Sequence, residues 1–211
     1  RVQGGRGSVA LIGGEAGIGK TTLAGELRSA AEARGIAVLW GRTPEAAWAG
    51  PYAPWIEALD SLDGGSAAMF QTAGDLPAED RQAQIHDRVL RQISATIQRK
   101  PTVLVLEDLH WAQPATLELM RHIAFGTTRS GLLLVGTYRA SAAAPHLPLG
   151  KTLGHLRHEA DVLDLILTGL DRDQLAHLLG GIPASQIDRI LAATNGNPLF
   201  AIAAGQMRGD S

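Results

Sequence analysis

GGEAGIGKTTL, residues 13–23, is the stretch of the sequence that decides the fold. Its residues 14–21 match the pattern G-x-x-x-x-G-K-[S/T] in full. An apolar run closed by glycines precedes it at 8–14 and predicts a buried strand, and an apolar helical pattern follows it at 20–34. A strand, a glycine-rich loop and a helix in this order predict a loop that wraps phosphate groups with its backbone N–H groups.

The residues of this loop indicate a nucleoside triphosphate with Mg²⁺ as the ligand. Glycine allows the backbone to come very close to a ligand and to take positive φ angles. Lys20, at the start of the helix, can reach the β- and γ-phosphates, and the Thr21 hydroxyl can bind Mg²⁺. The alternative is a glycine-rich turn without a ligand, which the flanking strand and helix disfavour. The residues that we expect to bind the nucleotide are Gly14, Glu15, Ala16, Gly17, Ile18, Gly19, Lys20, Thr21 and Thr22.

Apolar runs and helical patterns alternate along most of the chain. Beyond the first strand and helix, the main predicted strands and amphipathic helices are, in order, 36–41, 79–98, 102–108, 114–125, 131–139 and 161–170. Because most of the strands are apolar on both faces, they predict a parallel sheet covered by helices on both sides, an α/β fold. From about residue 170 onward the patterns are purely helical, which indicates a separate small helical unit.

The composition excludes several classes of protein. The 211 residues carry a formal net charge of −2 and are 45% hydrophobic, so nothing global points to nucleic acid or to a membrane surface. The absence of cysteine excludes disulfides and thiolate chemistry and fits a reducing compartment. No apolar run is long enough to span a bilayer, so we expect a cytoplasmic protein. The sequence does not start with methionine, and it ends directly after a helical pattern. We therefore expect this chain to be part of a longer protein.

Two acids end the strand VLVLED, residues 103–108. Carboxylates at the carboxyl end of a buried strand, after a P-loop, are typical of the Walker B site, where they hold Mg²⁺ and orient a water molecule. The alternative is that they cap the next helix or face solvent. We expect Glu107 and Asp108 to act in catalysis and in metal binding. Their order is unusual, since such sites commonly place Asp first and the longer Glu second, so we predict slow hydrolysis, below about one turnover per second.

Other residues near these motifs are weaker candidates. Arg139 ends the strand at 131–139, where a cation can sense a γ-phosphate, although its spacing alone favours an ordinary loop arginine. His110 and Trp111 directly follow the acids, and either could face the site, with packing the more expected role for Trp111. The aromatic segment WAGPYAPW, 48–55, could contact a ligand or simply pack.

Four segments, taken in order, resemble one family. They are GEAGIGKTTL (14–23), VLVLEDLHWAQPATLELM (103–120), GLLLVGTYR (131–139) and TNGNPLF (194–200). Together they are similar to the AAA-like ATPase domain of STAND-class signalling proteins, and most of all to the ATPase module of the large ATP-binding LuxR-family transcriptional regulators of bacteria. The resemblance covers nearly the whole chain. The P-loop itself is generic, whereas its combination with LHWAQPATLELM and GNPLF is specific.

This resemblance implies a fold and roles for individual residues. The fold would be a P-loop NTPase three-layer sandwich with a parallel sheet, residues 1–169, followed by the start of a helical lid, residues 170–211. Arg139 would be the sensor arginine that reads the γ-phosphate and would belong with the catalytic residues. Pro198 would pack on the nucleotide base from the lid, a role that rests on the resemblance alone. ATP or ADP and Mg²⁺ would be the cofactors.

The motifs and the resemblance leave three functions open. The first is a regulatory ATP switch, a slow Mg-dependent ATPase whose lid responds to the γ-phosphate and whose output domain, such as a helix-turn-helix, lies outside this chain. The second is a stand-alone ATPase or phosphotransferase acting on an unidentified substrate. The third is a nucleotide-stabilised interaction module without catalysis. We expect nucleotide as the direct partner, with no direct binding of nucleic acid or membrane, and the family implies an ATP-dependent homo-oligomer.

Overall fold

The computed structural model of the protein describes residues 7–45, 50–63, 66–71, 77–127 and 130–206. Its strands are β1 (Ser8–Gly13), β2 (Ala37–Arg42), β3 (Thr102–Glu107), β4 (Leu132–Tyr138) and β5 (Val162–Ile166). They form one sheet in the order β2-β3-β4-β1-β5, and every neighbouring pair runs parallel. The parallel sheet that the apolar runs predicted is therefore confirmed.

The strand order brings the ends of three strands together at one edge of the sheet. Gly13, the last residue of β1, is the register partner of Tyr138, the last residue of β4. β3 lies on the other side of β4, with Leu106 opposite Gly136. Because parallel strands end at the same edge, the P-loop after β1, the acids at the end of β3 and Arg139 after β4 lie side by side.

Helices cover the two faces of the sheet unequally. On one face, α1 (Lys20–Glu32) contributes Ala24 and Ala31 to an apolar cluster with alternate strand residues. The opposite face carries α2 (Ala53–Asp63), α3 (Ala78–Arg99), α4 (Pro114–Gly126) and α5 (Pro148–Glu159). The fully buried side chains of this larger core include Trp55, Leu59, Ile93, Leu117, Met120, Ile123 and Leu153. The layers of helix, sheet and helix are those of the predicted α/β sandwich.

Three further helices follow β5. They are α6 (Arg172–Leu179), α7 (Ala184–Thr194) and α8 (Pro198–Gln206). These helices bury an apolar cluster of their own, formed by Leu175, Ile187, Ile190 and Ala201. The Leu170 N–H donates to the Gly196 carbonyl at 2.8 Å and ties the connection after β5 to the turn before α8. The division of the chain at residue 170 stays a prediction.

Two of the helices were not predicted from the sequence. α5 lies in a stretch to which no element was assigned, because Gly150 and Gly154 weaken its helical pattern. α8 begins at Pro198, within the segment TNGNPLF, 194–200, to which no helix was assigned. β5 is also shorter than the predicted 161–170, since it ends at Ile166.

The aromatic segment 48–55 lies partly outside the described residues, which resume at Gly50. Within the described part, Tyr52 and Trp55 are buried. The Tyr52 N–H donates to the Thr116 hydroxyl at 3.0 Å, and the Trp55 indole N–H donates to the Thr116 carbonyl at 3.1 Å. These two aromatic residues therefore pack in the core. None of the helices described is both long and apolar enough to cross a membrane.

Candidate functional site

A cavity of about 350 Å³ lies at the carboxyl edge of the sheet, beside the P-loop. Most of the predicted site residues line it, namely Ala16, Gly17, Gly19, Lys20, Thr21, Thr22, Asp108, Arg139 and Pro198. Leu199 and Ile202 of α8 complete the lining, and neither was predicted as a site residue. The cavity thus joins the phosphate motif after β1, an acid from β3, a cation from β4 and the helical unit at the end of the chain.

Four predicted site residues are not in the lining of this cavity. Gly14, Glu15 and Ile18 instead face a second cavity of about 620 Å³, together with residues of the connection after β5 and the start of α8. Ala16 lines both cavities and so forms part of the wall between them. The fourth residue, Glu107, is fully buried beneath the edge of the sheet.

The P-loop backbone leaves open space where a phosphate group could bind. Gly19 caps the start of α1 with a left-handed conformation, φ 103°, and no side chain caps the first N–H groups of this helix. A Cβ added at Gly19 would meet no atom within 4 Å, so it would project into open space. The first turn of α1 therefore directs its N–H groups, and the positive end of its dipole, toward the cavity.

Lys20 is buried at the base of the cavity. Its ammonium group donates hydrogen bonds to the carbonyls of Gly14, at 3.0 Å, and Glu15, at 2.7 Å. Burial lowers the pKa of Lys20 from its ordinary value of 10.5, the Asp108 carboxylate partly opposes this effect, and the Arg139 charge adds to it. Two cations, Lys20 and Arg139, thus converge on a cavity that contains one acid. This electrostatic arrangement favours an anionic ligand.

The two acids at the end of β3 differ in their surroundings. Asp108 has a left-handed backbone, φ 57°, and its N–H donates to the Thr137 hydroxyl at 3.0 Å, so its side chain leaves the line of the strand and reaches the cavity. Glu107 points toward the neighbouring strand β2 instead. Its Oε2 accepts from the Trp40 indole at 3.0 Å and from Arg42 Nη2 at 2.8 Å. Its Oε1 is buried and has no hydrogen-bond partner among the described residues.

Arg139 lines the cavity and lies against Trp111, which is not one of the lining residues. The Arg139 Cζ atom is 5.6 Å from the centroid of the Trp111 ring, within the range of a cation–π interaction. Trp111 is 38% exposed, and its ring packs against Arg139 and one neighbouring residue, so the packing role that the sequence favoured stays a prediction. Its ring also contacts that of His110, with centroids 5.1 Å apart, and the His110 side chain is almost fully buried.

Contacts between the P-loop and α8 close one side of the cavity. The Asn197 side-chain amide donates to the Ala16 carbonyl at 2.9 Å, and the Leu199 N–H lies 3.3 Å from the Gly17 carbonyl. The Asn197 side-chain oxygen accepts from the Leu199 N–H at 3.1 Å. The segment TNGNPLF, 194–200, therefore supplies a polar contact to the P-loop, a role that its sequence did not reveal.

The residues at this edge fit a Mg²⁺ ion that shares its ligands with a nucleotide. Thr21 and Asp108 offer oxygen atoms to one cavity, and Glu107 Oε1 is a buried carboxylate oxygen without a partner among the described residues. Among the residues that the structure describes, no three His, Cys, Asp or Glu side chains are grouped to hold a metal ion by themselves. Mg²⁺ commonly binds through one or two protein oxygens together with phosphates and water, so this donor set suits it.

Solved structures with a similar fold include P-loop ATPases. The ORC1 protein of Aeropyrum pernix, solved in complex with DNA, is 15% identical with a TM-score of 0.59, over 96% of this chain and 55% of that chain. The Walker-type ATPase of Pyrococcus abyssi is 14% identical with a TM-score of 0.57, over 96% of this chain and 63% of that one. A STAND protein of Pyrococcus horikoshii with a tetratricopeptide repeat sensor is 18% identical with a TM-score of 0.53, over 93% of this chain and 27% of that one. At these identities the likeness concerns the fold alone.

Sequence comparison gives the family. An uncharacterized protein of Rhizobium meliloti (strain 1021) is 28% identical over 177 residues, an alignment that covers 68% of this chain. The chain spans 17% of the length of that relative. Residues 1–135 match the family model described as AAA ATPase domain, and this match covers more than half of the chain and includes the P-loop and both acids of β3. The chain belongs to the AAA ATPase domain family, whose members bind nucleotide through a P-loop.

Proposed function

We propose that this chain is the ATP-binding switch domain of a longer signal-transduction or transcriptional regulator, and that it hydrolyses MgATP slowly. The observation that carries the proposal is the single cavity that Lys20, Asp108 and Arg139 share with Pro198 of α8. A ligand in this cavity would touch the core of the domain and its last helix at the same time. Its occupancy would therefore bias the position of that helix.

The cationic end of the cavity would hold the phosphates. Lys20 would exchange its bonds to the Gly14 and Glu15 carbonyls for bonds to the β- and γ-phosphates, and Arg139 would contact the γ-phosphate from the opposite wall. ADP lacks the group that Arg139 would read. The difference between ATP and ADP would thus be sensed at the end of β4.

The apolar end of the cavity would hold the base. Pro198, Leu199 and Ile202 supply the apolar part of the lining, and Leu199 and Ile202 are 56% and 38% exposed. Covering such exposed apolar side chains with a flat aromatic ring removes apolar surface from water, which lowers the free energy. The assignment of Pro198 to the base rests on the family resemblance, and its place beside Leu199 and Ile202 in the cavity lining supports it.

Thr21 and Asp108 would hold Mg²⁺, and Glu107 would join them through Oε1, the oxygen that no hydrogen bond in the described residues occupies. The bound ion would neutralise charge on the phosphates. Asp108 would also orient the attacking water. Slow hydrolysis is expected, because this carboxylate is short and because Glu107 is held by donors from β2.

The helices α6 to α8 would act as the start of the lid, with residues 1–169 as the ATPase core and 170–211 as the lid segment. Asn197 would carry the signal between them, since it joins the P-loop carbonyl of Ala16 to the first turn of α8. The module would belong to a LuxR-family or STAND-type cytoplasmic regulator with an output domain, and ATP would promote its self-association. The resemblance of the motifs supports this part of the proposal.

The test is a nucleotide-binding and turnover measurement on the purified chain. We expect the parent protein to bind ATP and ADP in the presence of Mg²⁺ and Lys20→Ala to lose both. Lys151→Ala, which removes an exposed lysine on α5, is the matched control and should bind like the parent. Turnover should stay below about one per second. Faster turnover, or phosphate transfer to an added acceptor, would favour a working enzyme, and the absence of binding in the parent would refute the site.

A further inference from the structure

We propose that Trp111 is a positioning residue that holds the Arg139 guanidinium in the wall of the nucleotide cavity, and that this contact sets the preference of the site for ATP over ADP. The inference rests on the proposed function, because it assigns to Arg139 the reading of the γ-phosphate. It adds Trp111, which lies outside the P-loop and the Walker B pair, to the residues that shape nucleotide binding. The sequence favoured a packing role for this tryptophan.

The backbone and the ring of Trp111 each have a contact that holds them. Trp111 belongs to the short 3-10 turn Leu109–Trp111 that directly follows Asp108, and its backbone N–H donates to the Asp108 carbonyl at 2.9 Å. Its ring rests on that of His110, whose side chain is 5% exposed. A large aromatic ring anchored on a buried neighbour is a rigid platform, since it loses little further freedom when it takes up a contact.

Arg139 needs such a platform. Among the residues that the structure describes, no hydrogen bond or ion pair holds its side chain, and the Trp111 ring at 5.6 Å is the contact found for its guanidinium. The like charge of Lys20 in the same cavity repels it. A long arginine side chain without a partner samples many rotamers. The face of the indole attracts the cation and keeps it beside the cavity before a ligand arrives.

This arrangement predicts an effect on one nucleotide only. A guanidinium that is already in position loses less conformational freedom when the γ-phosphate binds, which raises the affinity for ATP. ADP has no γ-phosphate, so its affinity does not depend on where Arg139 is held. A purely structural role of Trp111 would instead change the affinity for both nucleotides together.

The experiment measures the dissociation constants of ATP and ADP by calorimetry, with Mg²⁺, on the whole chain. Trp111→Ala should weaken ATP binding about two- to fivefold, the range of an exposed cation–π contact, and leave ADP binding unchanged. Trp111→Phe keeps an aromatic face and should retain most of the preference for ATP. Arg139→Ala should lower the preference for ATP over ADP at least as much as Trp111→Ala does. The double variant Arg139→Ala/Trp111→Ala should show no lower preference than Arg139→Ala alone.

The matched control is Arg28→Ala. Arg28 lies over another tryptophan, Trp40, at 5.9 Å from its ring, and it is exposed on α1 away from the cavity. Its removal should leave the ATP to ADP ratio unchanged. Melting temperatures of all variants should be compared, so that a loss of folding is recognised.

Two results would overturn the inference while leaving the proposed function intact. One is a Trp111→Ala protein that keeps the parent ratio although Arg139→Ala loses it. The other is an equal loss of ATP and ADP binding in Trp111→Ala that Trp111→Phe does not restore. If the parent itself binds neither nucleotide, or if Lys20→Ala binds both as the parent does, then the proposed function fails, and the inference fails with it.

Discussion

Arg42 and Glu107 are joined across the carboxyl ends of neighbouring strands, with Arg42 Nη2 2.8 Å from Glu107 Oε2. The two residues are register partners in β2 and β3. The hydrogen bond to Glu107 raises the pKa of Arg42. Glu107 is fully buried, whereas the Arg42 side chain is 54% exposed. The buried carboxylate at the end of β3 is therefore stabilised from the edge strand of the sheet.

Removing Arg42 should destabilise the fold. In Arg42→Ala, Trp40 remains as a donor, but the buried carboxylate loses its charged partner. We expect a loss of about 1–3 kcal/mol in the free energy of unfolding, below that of a fully buried pair, because Arg42 itself is half exposed and screened by solvent. Urea denaturation of parent and variant measures this loss.

The control for this loss is the exposed pair Arg172–Asp188, whose atoms Nε and Oδ1 lie 2.6 Å apart on α6 and α7. Arg172→Ala should have little effect, since the Asp188 carboxylate is exposed to solvent and stays solvated after the change. Glu107→Gln combined with Arg42→Ala should be less harmful than the sum of the single changes, because no buried charge is then left alone. If Arg42→Ala destabilises no more than Arg172→Ala, the pair does not stabilise the strand ends.

The sequence was sufficient for the parts of the fold that depend on local patterns. The apolar runs of β1, β3 and β4 and the P-loop between β1 and α1 each lie within a short segment. Strand ends in a parallel sheet share one edge, so the proximity of Asp108 and Arg139 to the P-loop also followed from the order of the motifs. Their roles stay predictions.

The remainder of the site depends on contacts between distant segments. Glu107 meets Arg42 because β2 pairs with β3, and no local pattern shows this pairing. Asn197 meets Ala16 across 181 positions of the chain. The helix α5 was missed because its glycines hide its pattern, although Gly150 is needed there: a Cβ would lie 2.0 Å from the Ala144 carbonyl oxygen. Such contacts become visible only when the chain is folded.

A methyl group at Gly17 should separate the P-loop from α8. A Cβ there would lie 2.7 Å from Leu199 Cβ, and the backbone has a φ of +74°, which residues with a side chain rarely adopt. Gly17→Ala should therefore lower the free energy of unfolding by about 1–3 kcal/mol and weaken nucleotide binding. Thermal denaturation and calorimetry with ADP measure these two effects.

Gly25→Ala is the matched substitution. Gly25 lies within α1, and a Cβ there meets no atom within 4 Å. Alanine is the better helix former, so this variant should be more stable than the parent by about 0.5–1 kcal/mol. Equal stability of the two alanine variants would show that Leu199 moves aside freely and that the contact at Gly17 does not hold α8.

Loss of the Asn197 side chain should loosen α8 specifically. Its amide group donates to Ala16 and its oxygen accepts from the Leu199 N–H, and the residue is 9% exposed. Asn197→Ala takes this donor away from the Ala16 carbonyl and leaves the Leu199 N–H with the Gly17 carbonyl alone. The cost of about 1–2 kcal/mol corresponds to about five- to thirtyfold faster amide hydrogen exchange in α8. Gln206→Ala, at the exposed end of the same helix, should exchange like the parent. An unchanged rate in Asn197→Ala would exclude the proposed connection between P-loop and lid.

The histidine pair between α3 and α4 should make the fold sensitive to acid. The rings of His86 and His122 lie with centroids 5.2 Å apart, and the Nε2 atoms of both are buried without a partner among the described residues. Burial lowers the pKa of His86 from its ordinary value of 6.5, the charge of His122 adds to this effect, and Glu118 and Asp87 oppose it.

The sign of the effect follows from proton uptake. As the pH falls below 6.5, the unfolded chain binds a proton at residue 86 before the folded protein does. The free energy of unfolding therefore falls until the lower folded pKa is passed, and below that pH this residue lowers it no further. The melting temperature should therefore fall between about pH 7.5 and pH 5. His86→Gln should flatten this fall without abolishing it, because burial also lowers the pKa of His110. His177→Gln, at an exposed position of α6, should leave it unchanged, and a His86→Gln protein with the parent's pH dependence would contradict the prediction.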